Sequence, residues 1–282
     1  MPETSSSSSS SQTVATFFER WDVSVFDAIA ELPLELEDII DEINMSPDDH
    51  KVDYHTGKFC EGRIYGRGFQ SVPEWIRRLC AHKYYIEVGI VNCGPTLFSQ
   101  VLAMNGVAVP PLLQLYADDP QAMFHLIRQF EPLLTEGDMK ILLLQILHGG
   151  PAPQIDPLIS FKSQMHRAVV ELVTRRPKYD IMYREAENEY NHLGSFIARV
   201  WQEVEHRVLM IMIDYFMIAK GKAVGAPLFD RFLLEKHDDP DITGAENAVF
   251  QLTGFRVKLV QKPMTPTHED YTRLWASDHS TR

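Results

Sequence analysis

The chain has 282 residues, enough to bury one large core or two smaller ones, and its 45% hydrophobic content is that of an ordinary globular protein. With 39 acidic against 27 basic side chains its formal charge is −12, which excludes a generic basic nucleic-acid coat but leaves room for a local basic groove. Three cysteines without CxxC spacing exclude a disulfide framework or a cysteine-rich zinc site. No apolar run reaches the roughly 18–20 residues that span a bilayer, and the N-terminus has no basic-then-apolar leader. An intracellular protein of nucleus or cytoplasm, not secreted and without a membrane partner, is expected.

Residues 1–13, dominated by Ser5 to Ser11, are expected to form a disordered tail, since serines bury too little surface to offset ordering entropy. Residues 14–56 read as an acidic helical segment broken near Pro33, with Leu36, Ile39, Ile40 and Ile43 spaced for one helical face. The main domain is expected over 57–264. It opens with an extended loop or hairpin, Gly62 to Gln70, followed by a helix started by Pro73 with Trp75, Ile76 and Leu79 on one side. Arg63, Arg67, Arg77 and Arg78 make the densest positive cluster before the next strand, and scattered surface arginines remain an equal reading of it.

Tyr84 to Pro95 reads as a buried strand running into a helix, with Glu87 on the strand and Asn92 at the junction. The helix runs to about Met104 and is broken by Pro110-Pro111. Further helices are expected over 120–129, 137–148, 157–175 and 195–220. In the last of these, Phe196, Ile197, Val200, Trp201, Val204, Val208, Ile211, Met212 and Tyr215 form an apolar stripe that must be core. Two short strands, 223–229 and 232–236, meet at Asp230-Arg231. A helix over 242–252 ends at Gly254, and Phe255 to Val260 alternates as a half-buried strand. Residues 265–282 read as a flexible tail. The fold class is α+β, mostly helical with a small antiparallel sheet.

The order of Gly62-Arg63-Ile64-Tyr65, Arg77-Arg78, the Glu87–Pro95 strand, Lys140 with Gly149-Gly150, Phe229-Asp230, and Thr253-Gly254-Phe255 resembles the transposon and virus polymerases related to family A DNA polymerases and single-subunit phage RNA polymerases. The resemblance covers about Gly57 to Met264. It implies a palm-like sheet, a fingers-like helical region and template-directed nucleotidyl transfer with Mg²⁺ or Mn²⁺. The implied partners are nucleoside triphosphates and a nucleic acid, DNA ahead of RNA. Asp230 and Glu87 would then be the metal-binding carboxylates, with Lys140 completing the catalytic set on the triphosphate. Asn92, His148 and Gly149 would line the nucleotide, and Arg63, Arg67, Arg77 and Arg78 would meet nucleic-acid backbone. Two ions about 4 Å apart need carboxylates from two adjacent strands.

The departures from that pattern are chemical. Gly89 stands where the palm strand carries an aspartate and Gly94 where a histidine is usual. Arg231 adjoins Asp230, Glu136 replaces an arginine, and Leu144 and His148 replace the aromatic and tyrosine of the fingers helix. A glycine supplies no ligand, and a guanidinium competes with a cation for its neighbouring carboxylate. The expectation is a diverged polymerase-like protein with impaired two-metal catalysis. The alternative is a non-catalytic helical scaffold or interaction protein.

Overall fold

The computed structural model describes residues 13–28, 36–56, 62–186, 190–237 and 239–276. The serine run and Pro33 of the sequence reading lie outside the described residues. The fold is α+β, mostly helical with two small antiparallel sheets, as expected. The chain divides into two compact units: Met1–Gly89 with Leu209–Ala248 and Leu259–Arg282, and Ile90–Val208 with Val249–Lys258.

The first unit begins with a strand where the sequence reading has a helix. β1 (Thr13–Glu19) pairs antiparallel with β2 (His50–Thr56), and β2 with β3 (Ile64–Tyr65). A run of β-branched and aromatic residues alternating inward and outward favours a strand over the acidic helix read across Phe17 onward. Phe17, Glu19, Val52, Tyr54 and Ile64 point inward, while Phe18, Lys51 and Tyr65 face out. The helical expectation holds for α1 (Glu37–Met45), whose Ile39, Ile40 and Ile43 are buried.

α2 (Glu74–Ala81) starts after Pro73, as read, and buries Ile76, Leu79 and Cys80. Trp21 stacks on Phe69, ring centroids 3.8 Å apart, and both join Ile76, Leu79, Tyr85 and Leu233 in one core. The second sheet has the order β5-β6-β4-β7: β5 (Val224–Pro227), β6 (Arg231–Glu235), β4 (Tyr85–Ile90) and β7 (Leu259–Pro263). β7 starts at Leu259, so the expected strand from Phe255 is displaced along the chain. The expected tail after 265 instead carries a helix, α11 (His268–Ala276), whose Asp270 is buried.

The second unit is helical: α3 (Cys93–Met104), α4 (Pro111–Asp118), α5 (Pro120–Arg128), α6 (Glu136–Leu147), α7 (Asp156–Arg175) and α8 (Pro177–Arg184). α3 closes at its C-cap Asn105, with Gly106 at φ +73, before the prolines expected to break it; Pro111 instead starts α4 at a first-turn position where its missing N–H costs nothing. α6 opens on a capping box between Thr135 and Asp138. α9 (His192–Asp214) and α10 (Ile242–Thr253) contribute residues to both units. Of the stripe read as core, Phe196, Ile197, Val200, Val208 and Met212 are buried, while Trp201, Val204, Ile211 and Tyr215 are partly buried. Past Asp214 the last turn, Tyr215–Ala219, widens to a π-helix. Among the described residues no helix is long and apolar enough to cross a membrane.

Candidate functional site

In the first unit, β4 and β6 pair antiparallel with Glu87 opposite Leu233 and Gly89 opposite Arg231. Val88 and Ile90 are buried on the other face, so Glu87 and Gly89 share the half-buried one. The β5–β6 hairpin turns through Phe229-Asp230, closed by the Leu228 N–H donating to the Arg231 carbonyl at 2.7 Å. Phe229 sits at φ +68, a left-handed conformation that costs a non-glycine residue about 1–2 kcal/mol. Its ring is held edge-on by Tyr65, with centroids 5.9 Å apart, and by the Arg63 guanidinium 4.5 Å above its face.

This turn delivers Asp230 and Arg231 to the Glu87 strand. Arg231 Nε donates to Asp230 Oδ1 at 3.0 Å, and its Nη1 donates to Glu87 Oε1 at 3.1 Å. The two carboxylates of the sequence reading are therefore brought to one place, and a guanidinium of the chain itself joins them. Burial works against the charge on Arg231, but the Asp230 and Glu87 carboxylates outweigh it and hold the guanidinium above its usual range. Arg77 adds a second positive charge: burial lowers its pKa, and the Glu74 and Glu87 carboxylates oppose that fall.

Gly89 has a local reason as well. A Cβ built there would lie 3.2 Å from Arg231 Cβ, so the directly opposed pair is crowded by any side chain while Arg231 is present. The donors do not fit a two-ion Mg²⁺ or Mn²⁺ centre. Glu87 and Asp230 already spend an oxygen each on Arg231, and Gly89 offers none. Among the described residues no three His, Cys, Asp or Glu side chains converge.

Of the four arginines read as backbone contacts, Arg77 and Arg78 are engaged inside the first unit. Arg77 Nη1 donates to the Phe69 carbonyl at 2.9 Å. Arg78 grips Asp270 bidentately, Nε to Oδ2 at 2.8 Å and Nη2 to Oδ1 at 2.6 Å, and reaches Glu74 with Nη1. Arg63 lies on Phe229. Arg67 is 61% exposed, with Asp38 at the 4.0 Å limit of an ion pair.

The second unit carries Asn92, Lys140, His148 and Gly149. Asn92 adopts φ 49 at the start of α3, and its amide donates to the Tyr116 carbonyl. Lys140 is exposed on α6 and His148 is at the helix's C-terminal cap. The His148 ring stacks on Trp201, with centroids 5.0 Å apart and planes 3° from parallel. Gly149 closes α6 at φ +74, and a Cβ there would lie 2.7 Å from the Gly194 nitrogen. Asn191 ties the same corner by donating to the His148 carbonyl. Trp201 also explains Gly94, where a Cβ would fall 1.7 Å from the indole.

The sequence reading did not find Glu19, a fully buried carboxyl that accepts from Phe69 N–H at 2.8 Å, Trp21 Nε1 at 3.2 Å and the Tyr54 hydroxyl at 3.2 Å. Burial pushes its pKa up to about 8 against these three donors. The inward register of Glu19 was the available signal, hidden by reading β1 as helix. Asp270 was also missed, although Thr267-x-x-Asp270 is a helix-start pattern.

No protein-family model matches the chain. It is similar to a Sputnik virophage protein named "Putative helicase V13", 22% identical over 231 residues. The match covers 75% of this chain and 29% of that protein, so the chain spans under a third of the relative's length.

Proposed function

We propose that the chain is a nucleic-acid-binding protein of the viral replication type, with a diverged polymerase-like palm whose nucleotidyl-transfer centre is closed by its own guanidinium. The observation that carries the loss of chemistry is Arg231, shared by Glu87 and Asp230 at 3.1 and 3.0 Å. A fixed cation between the two carboxylates supplies the local neutralisation that divalent ions would supply. It leaves no open coordination position for an attacking or leaving oxygen. The nucleic-acid part of the reading is supported by the similarity to a virophage protein whose name is that of a helicase. DNA is placed ahead of RNA, and nucleoside triphosphates and Mg²⁺ become partners only of a reopened site.

The test is primer extension with Mg²⁺ or Mn²⁺, run beside binding of primer-template DNA. It compares the native chain, Asp230→Ala, and a Gly89→Asp, Arg231→Gly double variant. Removing Arg231 takes away the atom that crowds position 89, so the double variant has room for the third carboxylate. The native chain is expected to bind the duplex and extend nothing. Extension by the native chain, lost on Asp230→Ala, would show an active polymerase and sink the reading. Absence of any nucleic-acid binding would favour the scaffold alternative.

A further inference from the structure

The three-stranded sheet of the first unit has an outer face that meets the candidate site only where Tyr65 packs edge-on against Phe229. Directly opposed pairs on it are Phe18 with Lys51, Thr16 with Asp53, and Tyr65 with His55. Phe18 is 53% exposed and Tyr65 46%, so two aromatic rings on one small face each forgo about half of the ~1.5–3 kcal/mol that full burial of a Phe-sized side chain contributes. A groove of about 320 Å³ adjoins Tyr65, lined also by Lys51, His55, Gly66 and Arg67 among others, and Phe18 stands outside it across from Lys51.

Two glycines fix how Arg67 is presented. A Cβ at Gly66 would lie 2.8 Å from the Tyr54 ring, and one at Gly68 would lie 2.4 Å from the Glu19 carboxylate. The Gly66-Arg67-Gly68 backbone is thus drawn tight onto the inner residues of the sheet, and Arg67 projects outward between them. The acids at this face are Glu42 and Asp53 in the groove lining and Asp38, 4.0 Å from Arg67. Asp53 is occupied by Thr16 Oγ1 at 2.6 Å and Lys51 Nζ at 3.2 Å.

We propose that this outer face is a platform for single-stranded nucleic acid, with Phe18 and Tyr65 stacking on bases and Lys51 and Arg67 meeting phosphates. The inference rests on the nucleic-acid reading above and names the surface and the form of its ligand. Exposed rings interleaved with cations on a short sheet match the chemistry of unpaired bases, whose faces are open to stacking. A duplex hides those faces. Lys51, Arg67 and His55 give the phosphates partners on a chain that is otherwise acidic, so binding depends on local and not net charge.

The experiment is fluorescence anisotropy of a labelled oligo-dT, with unlabelled primer-template duplex as competitor, on the native chain and three variants. The native chain is expected to bind oligo-dT. Phe18→Ala with Tyr65→Ala removes two stacked bases and should weaken binding by about 30-fold or more, from ~1–3 kcal/mol per base at about 1.4 kcal/mol per tenfold. Arg67→Ala should reduce the slope of log affinity against log salt by about one. Asp53→Asn, which unloads Lys51, should tighten binding, a change that loss of folding cannot mimic.

An unchanged affinity in the Phe18, Tyr65 double variant, with duplex binding intact, overturns this inference and leaves the proposed function standing. Failure to bind either oligo-dT or duplex overturns both. A native chain that ignores oligo-dT but doubles its mass in light scattering, and becomes monomeric in the Phe18, Tyr65 double variant, overturns the platform in favour of self-association.

Discussion

Arg78→Ala separates a structural arginine from a ligand-binding one. Asp270 is 2% exposed, and its carboxyl is held at about 2 against the usual 3.8, first by the Arg78 hydrogen bonds, with Thr267 adding backbone and side-chain bonds against the cost of burial. At about 1.4 kcal/mol per pH unit, that fall corresponds to roughly 2 kcal/mol of folding stability. Removing Arg78 leaves a buried charge without its main partner. Because Thr267 still donates to it, the loss should be about 2–3 kcal/mol, at the low end of what broken buried pairs cost. Because the folded-state pKa is depressed, this stability is present above the unfolded value and is lost as pH falls through about 2. Urea unfolding at neutral pH should therefore show the full difference between native and Arg78→Ala, and the difference should shrink on acidification toward pH 2. Oligonucleotide affinity, measured where both are folded, should be unchanged. A stability loss below about 0.5 kcal/mol, or a large affinity loss at full stability, would refute the reasoning, since median surface pairs contribute about 0–1 kcal/mol.

Gly149→Ala should destabilise by about 2 kcal/mol or more, read by thermal or urea unfolding, because φ +74 and a Cβ 2.7 Å from Gly194 penalise any side chain. Gly94→Ala should cost more, about 3 kcal/mol or above, since its Cβ would overlap the Trp201 indole and force the ring to move. Glu19→Gln should flatten the pH dependence of stability. Its folded pKa of about 8 lies above the unfolded value of 4.5, so the neutral form is favoured and the native chain should lose stability as pH rises between them. An unfolding midpoint as pH-dependent in Glu19→Gln as in the native chain would contradict this.

Much of the fold was legible because apolar spacing reports burial directly. The 195–220 stripe, the Pro73 helix start and the strand-to-helix junction at Asn92 were all readable that way. Two misreadings share a cause: the deciding partner is distant in sequence. Thr13–Glu19 is a strand because His50–Thr56 pairs with it, and acidic composition nearby masked its period-two pattern. His268–Ala276 is held through Asp270 to Arg78, almost two hundred residues away. The proximity of Glu87 and Asp230 was foreseeable from strand positions. That Arg77 and Arg78 would be consumed internally was not, because a guanidinium looks the same in sequence whether it meets a phosphate or a carbonyl.

The two glycines that depart from the polymerase pattern carry the last step. An empty position would signal simple loss, but both are filled: Arg231 Cβ stands 3.2 Å from a Cβ at position 89, and the Trp201 indole occupies the space at position 94. Each glycine is thus bound to another side chain of the chain, and single reversions should be unfavourable. At the first pair this gives a thermodynamic cycle. Gly89→Asp alone meets the Arg231 side chain at close range. Arg231→Gly alone leaves Glu87 and Asp230 facing each other without their common cation. Together they remove the crowding but bring three carboxylates together, a state that a divalent ion would relieve. Coupling between the two substitutions should be about 0.5–3 kcal/mol in unfolding free energy, and Mn²⁺ should stabilise the double variant but not the native chain. Additive effects with no Mn²⁺ response would mean that Arg231 does not stand in for a metal, and that Gly89 reflects drift on a surface strand.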